Sequence, residues 1–299
     1  MRTAFIQQLI AEAREQHDIF LLVGDLGYSV VEPFAAEFPE RFLNMGIAEQ
    51  NMAGVAAGLA REGYNVFMYS IGNFPTLRCM EQIRYDICYH QLSVKVVAVG
   101  GGYAYGPLGV SHHTTEDIGM LRTLPDLIVA APGDPVETRL VTSHFSKTKL
   151  PGYLRLGKAG EPVVHVSNPG PETFGTIYEI SSMAENHTAV LSTGGILAYA
   201  AEQIRERKLP YNLYSCPVIK PIDEAGLQSI LSRHNRVITI EEHQRSGGFG
   251  SAVLEASNDL LNRGLLHSLP RIDIMAIPDR FIGFSGTQDY LRKTAGLTF

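Results

Sequence analysis

Short apolar runs alternate with helical patterns along this chain, and the alternation occurs twice. Residues 19–23, 66–69, 94–99, 127–131 and 153–156 are apolar and strand-sized. Residues 3–16, 46–61, 76–90, 116–124 and 135–145 carry apolar positions at helical spacing. Strands separated by helices pair in parallel, and a parallel sheet needs helices on both faces. A Pro/Gly/Ser-rich stretch over 160–175 breaks the rhythm and is expected to be a linker with a short hairpin. A second series follows, with strands over 189–192, 213–214, 237–241 and 272–276. Its helices cover 195–207, 224–233, 248–262 and 287–295. The expected fold is α/β, with two tandem three-layer domains over 1–160 and 176–299 and a linker over 161–175.

Composition excludes several function classes. Of 299 residues, 45% are hydrophobic and 19% charged, which favours packed cores over disorder. The net charge of -6 is scattered, and no basic tract suits nucleic acid. No apolar run is long enough to span a bilayer, and the N-terminus lacks a signal-peptide core. Cys79, Cys88 and Cys216 show neither metal nor redox spacing, so a reducing cytoplasm is the expected compartment.

Met45-Gly46-Ile47-Ala48-Glu49-Gln50-Asn51 is the most informative stretch chemically. A turn signal at Gly46 precedes Ile47, Met52, Val55 and Leu59 at helical spacing, and the pattern stops at Gly63. Ala53, Gly54, Ala56, Ala57 and Gly58 fill the gaps and let another backbone approach closely. A helix buried on most sides is expected, with Glu49 in its first turn. That carboxylate has two readings: helix-dipole stabilisation, or a desolvated acid raised in pKa for proton work.

The run from Arg41 to Met52 resembles the pyrimidine-binding domain of transketolases and deoxyxylulose-phosphate synthases. The resemblance continues through Arg78-Cys79-Met80-Glu81-Gln82-Ile83-Arg84, Gly109-Val110-Ser111-His112, Glu116-Asp117 and Pro132-Gly133-Asp134-Pro135. It extends weakly over nearly the whole chain. In that family the glutamate of the G-I-A-E-Q run contacts the aminopyrimidine of thiamine diphosphate, which implies this role for Glu49. The resemblance also implies that a diphosphate- and metal-binding domain is missing. Gly24-Asp25-Leu26-Gly27 is the nearest match to that domain's mark and lacks a following Asn. The chain therefore looks like the C-terminal part of a split enzyme. The diphosphate and Mg²⁺ or another divalent cation would be held mainly by an N-terminal partner subunit, in an α2β2 heterotetramer.

Further residues are candidates within this frame. Phe74, with Tyr69 beside it, ends the strand after the Glu49 helix and offers an aromatic face for the pyrimidine. Two aromatics filling a core edge is the alternative. Arg78 resembles a cofactor-site arginine of the synthase branch and equally suits an interface ion pair. His112 matches the family histidine that polarises donor and acceptor oxygens, and His113 is a second polar contact, with substrate as its candidate partner. A metal on the paired histidines lacks a third ligand by spacing. Ser29 and Arg155 resemble substrate phosphate contacts, against a surface role for the arginine. Ser111-x-x-Thr114 and Glu116-Asp117 read as helix-entry capping. Gly247-Gly248-Phe249-Gly250 reads as a structural turn more than an anion site, and Asp223 as an N-cap.

Two departures bear on substrate. Leu108 stands where sugar-phosphate transketolases carry an aspartate, and Gly100 about where they carry a histidine. Both remove polar readout, which implies an unusual sugar or a conjugated substrate. The expected activity is transfer of a two-carbon ketol unit from a ketose, a sugar or sugar phosphate, to an aldehyde. A β subunit of a 2-oxoacid dehydrogenase and a non-catalytic partner that keeps the fold are the alternatives.

Overall fold

The computed structural model of the protein describes residues 1–183 and 188–299. Its strands are β1 (Ile19–Val23), β2 (Phe42–Asn44), β3 (Asn65–Ile71), β4 (Val94–Val99), β5 (Ile128–Ala130), β6 (Gly152–Leu156), β7 (Tyr178–Ser181), β8 (Thr188–Ser192), β9 (Asn212–Ser215), β10 (Val218–Lys220), β11 (Arg236–Gln244) and β12 (Arg271–Ile277). Its helices are α1 (Arg2–Glu15), α2 (Glu32–Glu37), α3 (Glu49–Arg61), α4 (Met80–Gln82), α5 (Asp117–Leu121), α6 (Pro135–Lys147), α7 (Leu197–Glu206), α8 (Glu224–Arg233), α9 (Phe249–Asn262) and α10 (Gln288–Thr294).

Two mixed sheets result. The first has the order β10-β5-β6-β4-β3-β1-β2 and is parallel except for β10 against β5. The second has the order β12-β11-β8-β9-β7 and is parallel except for β7 against β9. The central strands are buried apolar runs, as a sheet covered on both faces demands. One face of the first sheet packs Phe67, Tyr69, Val97 and Val99 under Phe5 and Leu9 of α1 and Phe145 of α6. The other packs Met68, Val96 and Ala98 against Met52, Ala53 and Ala56 of α3. That second core runs on without a break into Leu191 and Val237 of the second sheet and Phe249 and Val253 of α9.

Several expectations change. The segment over 219–223 is not simply a strand-to-helix turn. Val218–Lys220 forms β10 and closes the edge of the first sheet, although it lies between strands of the second. Asp223 does cap α8, accepting from the Gly226 N–H at 2.9 Å. No hairpin forms over 160–175, where the one regular piece is a 3₁₀ turn at Pro171–Thr173. Instead the linker docks on α6: the Val164 and His165 N–H groups donate to Asp134 at 2.9 and 3.1 Å. The single helix expected over 76–90 is a 3₁₀ turn at Leu77–Cys79, the short α4, and a π-helical stretch at Ile83–Cys88.

The Glu49 helix starts three residues later than its apolar spacing indicated. Gly46 has φ +68, a left-handed conformation that favours glycine, and Ala48 at φ -142 is also non-helical. Glu49 is thus the first helical residue, and Ile47 lies outside the helix, exposed. Within this chain α3 buries one face, through Met52, Ala53, Ala56 and Ala57. Gln50, Asn51, Gly54 and Gly58 on its other side are exposed. No helix among the described residues is long and apolar enough to cross a membrane.

Candidate active site

Strand pleating sorts the residues at the end of β3. Successive side chains point to opposite faces, so Ser70 shares the α3 face while Tyr69 turns to the α1 face. Tyr69 is fully buried there and stacks on Phe5 with ring centroids 5.9 Å apart. Burial pushes its phenol pKa up. Tyr69 is therefore a core residue rather than a cofactor contact, the core-edge alternative for this aromatic.

Glu49 lies on the other face, at the C-terminal edge of the first sheet. Its side chain is 1% exposed, and Arg78 Nη1 donates to Oε2 at 2.7 Å. The Gly24 backbone comes close to both Glu49 and Ser70. A Cβ on Gly24 would sit 3.3 Å from Ser70 Oγ and 3.7 Å from Glu49 Oε1. Ser70 Oγ is buried without a hydrogen-bond partner. A buried carboxylate beside an unsatisfied hydroxyl fits the polar edge of an aminopyrimidine.

Phe74 and His112 complete the cluster. The Arg78 guanidinium carbon lies 5.0 Å from the Phe74 ring centroid. The His112 ring meets Phe74 edge-on at 5.4 Å. Asn73 ties the two loops together, its Nδ2 donating to the His113 carbonyl at 2.7 Å and the Ser111 carbonyl at 3.3 Å. Gly72 lets them approach, because a Cβ there would overlap the Thr114 side chain. Ser111 Oγ is 3.0 Å from His112 Nδ1. When Ser111 donates to Nδ1, Nε2 carries the ring proton and is the nitrogen left for a ligand oxygen.

Glu49, Phe74, Arg78 and His112 thus form one connected group. His113 is turned away from it: the ring is buried, edge-on to Tyr103 at 5.1 Å, with Nε2 3.3 Å from the Gly106 carbonyl. Burial lowers its pKa, and the Gly106 carbonyl offsets part of that. Ser29 is exposed on the loop after β1 in a left-handed conformation, φ 63, with its N–H donating to Glu32 at 2.8 Å. No hydrogen bond among the described residues joins its hydroxyl to the cluster.

Arg155 is neither a surface arginine nor an open phosphate fork. It is 4% exposed, with Nε donating to Asp117 at 2.7 Å. Its Nη2 reaches the carbonyls of Thr114 at 2.7 Å and Glu242 at 3.0 Å. Asp117 accordingly is not a helix cap but the buried counter-ion, and it also accepts from the Tyr153 hydroxyl at 2.5 Å. Burial alone would raise the Asp117 carboxyl; Arg155 overrides it and holds the group below its ordinary value. Nor is the glycine turn before α9 open to an external anion. Glu241 occupies it, accepting from the Phe249 and Gly250 N–H groups at 2.6 and 2.7 Å. The structural reading of that turn holds.

Sequence reasoning missed Asn73, Ser70, Gly24 and the Asp117–Arg155 pair. Asn73 had a weak signal, a lone amide between Gly72 and Phe74 at a strand end. Among the described residues no group of three or more His, Cys, Asp or Glu side chains is placed to hold a metal ion. The two substrate-related departures have physical surroundings. The Tyr105 ring occupies the space that a side chain at Gly100 would need. Leu108 is exposed on a 3₁₀ turn.

Comparison with known proteins gives consistent matches. The model for the transketolase pyrimidine binding domain matches residues 1–160, and that for the transketolase C-terminal domain matches 183–298. One of the two chains of an apulose-4-phosphate transketolase from Phocaeicola vulgatus is 32% identical, covering 93% of this chain and 87% of that protein. A 6-deoxy-6-sulfo-D-fructose transketolase subunit from a Clostridium species is 29% identical over 100% of this chain and 90% of its own. A solved structure of a split gene transketolase, an inactive beta4 tetramer, superposes with a TM-score of 0.82 at 31% identity, covering 99% of this chain and 93% of that one.

Proposed function

This chain belongs to the transketolase family, and on that premise we propose that it is the C-terminal subunit of a two-chain, thiamine-diphosphate-dependent transketolase. It would transfer a two-carbon ketol unit from a ketose to an aldehyde. The observation that carries the reading is the buried Glu49 carboxylate, joined to Arg78, Phe74 and His112 at one sheet edge. The 2-oxoacid dehydrogenase and non-catalytic readings are not favoured by relatives named as transketolase subunits.

Bound thiamine diphosphate supplies an electron sink for the carbanion that the protein cannot provide itself. Glu49 would hold a proton at a pyrimidine ring nitrogen, where a carboxyl kept from water exchanges it without competition from solvent. Phe74 would stack under that ring. Arg78, half exposed, would release or share Glu49 Oε2 as the ring arrives. His112 would present Nε2 to oxygens of donor and acceptor. Ser29 remains a candidate contact for an anionic substrate group. Arg155 and His113 act in this account by fixing the loop that carries His112. The Gly100 and Leu108 positions support a substrate other than an ordinary pentose phosphate. The two relatives named above act on sugars ending in a phosphate and in a sulfonate, which supports a terminal anion here too.

The proposed organisation is a pyrimidine-binding domain over 1–160, a linker over 161–175 and a C-terminal domain over 176–299. The diphosphate and a divalent cation such as Mg²⁺ would be bound by an N-terminal partner subunit in the cytoplasm, in an α2β2 assembly. The exposed Gly54 and Gly58 on α3 support close approach by another chain. The test is reconstitution with the separately encoded diphosphate-binding subunit. Ketol transfer that needs both chains, thiamine diphosphate and Mg²⁺ is expected. A complex that binds the coenzyme and turns over no ketose, phosphorylated or not, would refute the assignment.

A further inference from the structure

A cavity of about 1180 Å³ lies between the linker after β6 and the second sheet. None of Glu49, Phe74, Arg78 or His112 lines it, so it is separate from the cluster above. Its inner wall is the C-terminal end of β8, where strand order reverses: β9 lies on one side of β8 and β11 on the other. Open α/β sheets receive ligands in the crevice at such a point.

The wall is built for an anion. Gly194 and Gly195 follow β8 and lead through a 3₁₀ turn into α7. First-turn N–H groups have no acceptor within a helix, and no backbone carbonyl elsewhere in the described chain meets the Gly195 N–H. Two nearly buried guanidinium groups flank the turn. The bonds of Arg155 to Asp117, Thr114 and Glu242 all use Nε and Nη2, while Nη1 lies 3.6 Å from a Cβ built on Gly194. Arg292 is 7% exposed and bonds Glu242, Asp289 and the Gly195 carbonyl through Nη1 and Nη2. Its Nε has no partner.

Charge and shape extend the argument. Lys158, Arg205 and Lys208 line the cavity and are exposed. Of the three lining acids, Glu161 is paired with the Met1 ammonium at 2.7 Å and Asp289 with Arg292 at 3.3 Å, which leaves Glu202. The Tyr199 ring lies 4.9 Å from the Arg292 guanidinium carbon, and its hydroxyl is buried without a partner. Tyr211, Ile180 and Leu209 add apolar surface. The volume exceeds what an isolated anion fills and suits a drug-sized molecule, roughly 300–1,000 Å³.

We infer that this cavity binds a small phosphorylated metabolite with an aromatic body, of the nucleoside monophosphate class. The phosphate sits on the Gly194-Gly195 turn between Arg155 and Arg292, and the ring lies toward Tyr199 and Tyr211. Helix-terminal amides and guanidinium forks are the groups that recognise phosphate.

The test is calorimetric titration of AMP and of inorganic phosphate into the full chain, alone and in the reconstituted complex. AMP is expected to bind saturably, and phosphate to bind more weakly and compete with it. Arg205→Glu with Lys208→Glu, on exposed positions, should weaken AMP by about tenfold or more, equivalent to about 1.4 kcal/mol. Arg292→Lys should weaken it too, because lysine keeps the charge and loses the fork. Glu49→Gln should leave it unchanged. Four results would overturn the site: no saturable binding of either probe, affinity indifferent to the charge reversal, loss of binding in Glu49→Gln, or phosphate binding as tightly as AMP. The surface pair keeps the test decisive if Arg292→Lys does not fold.

Discussion

Arg78 Nη1 and Glu49 Oε2 are 2.7 Å apart, which joins a half-exposed cation on one loop to a carboxylate buried at the start of α3. The pair aims one carboxylate oxygen at Arg78 and leaves Oε1 on the side of Gly24 and Ser70. Arg78→Ala is expected to weaken thiamine diphosphate binding in the assembled enzyme by about three- to tenfold, a modest effect because the cation is partly solvated. Arg78→Lys should recover part of it. Coenzyme titration followed by calorimetry checks this, and unchanged affinity in both variants would remove Arg78 from the site.

Phe74 and Tyr69 separate in a second experiment. Phe74→Ala should lower coenzyme affinity by about tenfold, in line with the loss of one aromatic stacking contact. Tyr69→Phe removes a buried hydroxyl that has no partner and should leave both affinity and stability almost unchanged. A larger loss of affinity from Tyr69→Phe than from Phe74→Ala would reverse the assignment.

Asp117→Ala should be severely destabilising, by about 3–5 kcal/mol, because it strands the buried Arg155 cation and the Tyr153 hydroxyl together. Urea unfolding measures it. A double variant, Asp117→Leu with Arg155→Met, should lose less than the two single changes combined, since neither charge is then left unpaired. Additive losses would show that the two side chains act independently.

Glu137 gives a pH dependence with a definite sign. It is fully buried, and burial raises its pKa from 4.5 to about 7. Its Oε1 lies 3.5 Å from His165 Nε2, and His165 in turn contacts Asp134 at 3.1 Å. A raised folded pKa contributes stability that is complete below the unfolded value and lost as pH rises through the folded one. Burial lowers His165, but its hydrogen bond to Asp134 and the nearby carboxylates raise it overall, which acts in the same direction. The urea midpoint should therefore fall between about pH 5 and 7, and the fall should be shallower in Glu137→Gln. An equal slope in the variant would contradict this. Lys95, lowered by burial to about 7, acts in the opposite direction above that range and does not obscure the test.

Much of the architecture was legible because it rests on local patterns. β1 and β4 coincide with their apolar runs, α8 with its periodicity, and Asp223 with its capping chemistry. The start of α3 was misplaced because apolar spacing cannot register the left-handed backbone at Gly46. β2 and β7 escaped because they are short edge strands with exposed positions. β10 escaped because its partner β5 lies in the other half of the chain. At the site, Glu49, Phe74, Arg78 and His112 came from motif and strand-end position, and the structure brings them together. Arg155 was misread because its counter-ion, Asp117, is 38 residues away and in sequence resembles a helix cap. Tyr69 was misread although strand alternation already placed it opposite Ser70.

The most direct measurement is ketol-transfer turnover of the reconstituted two-chain enzyme carrying Glu49→Gln, beside coenzyme affinity of the same complex. Glutamine keeps the shape and cannot hold or pass the proton. Turnover should fall by about 10²-fold or more, the usual scale of a lost acid–base group, while the complex still assembles and binds thiamine diphosphate. Turnover equal to that of the unaltered enzyme, with the coenzyme bound, would contradict the account.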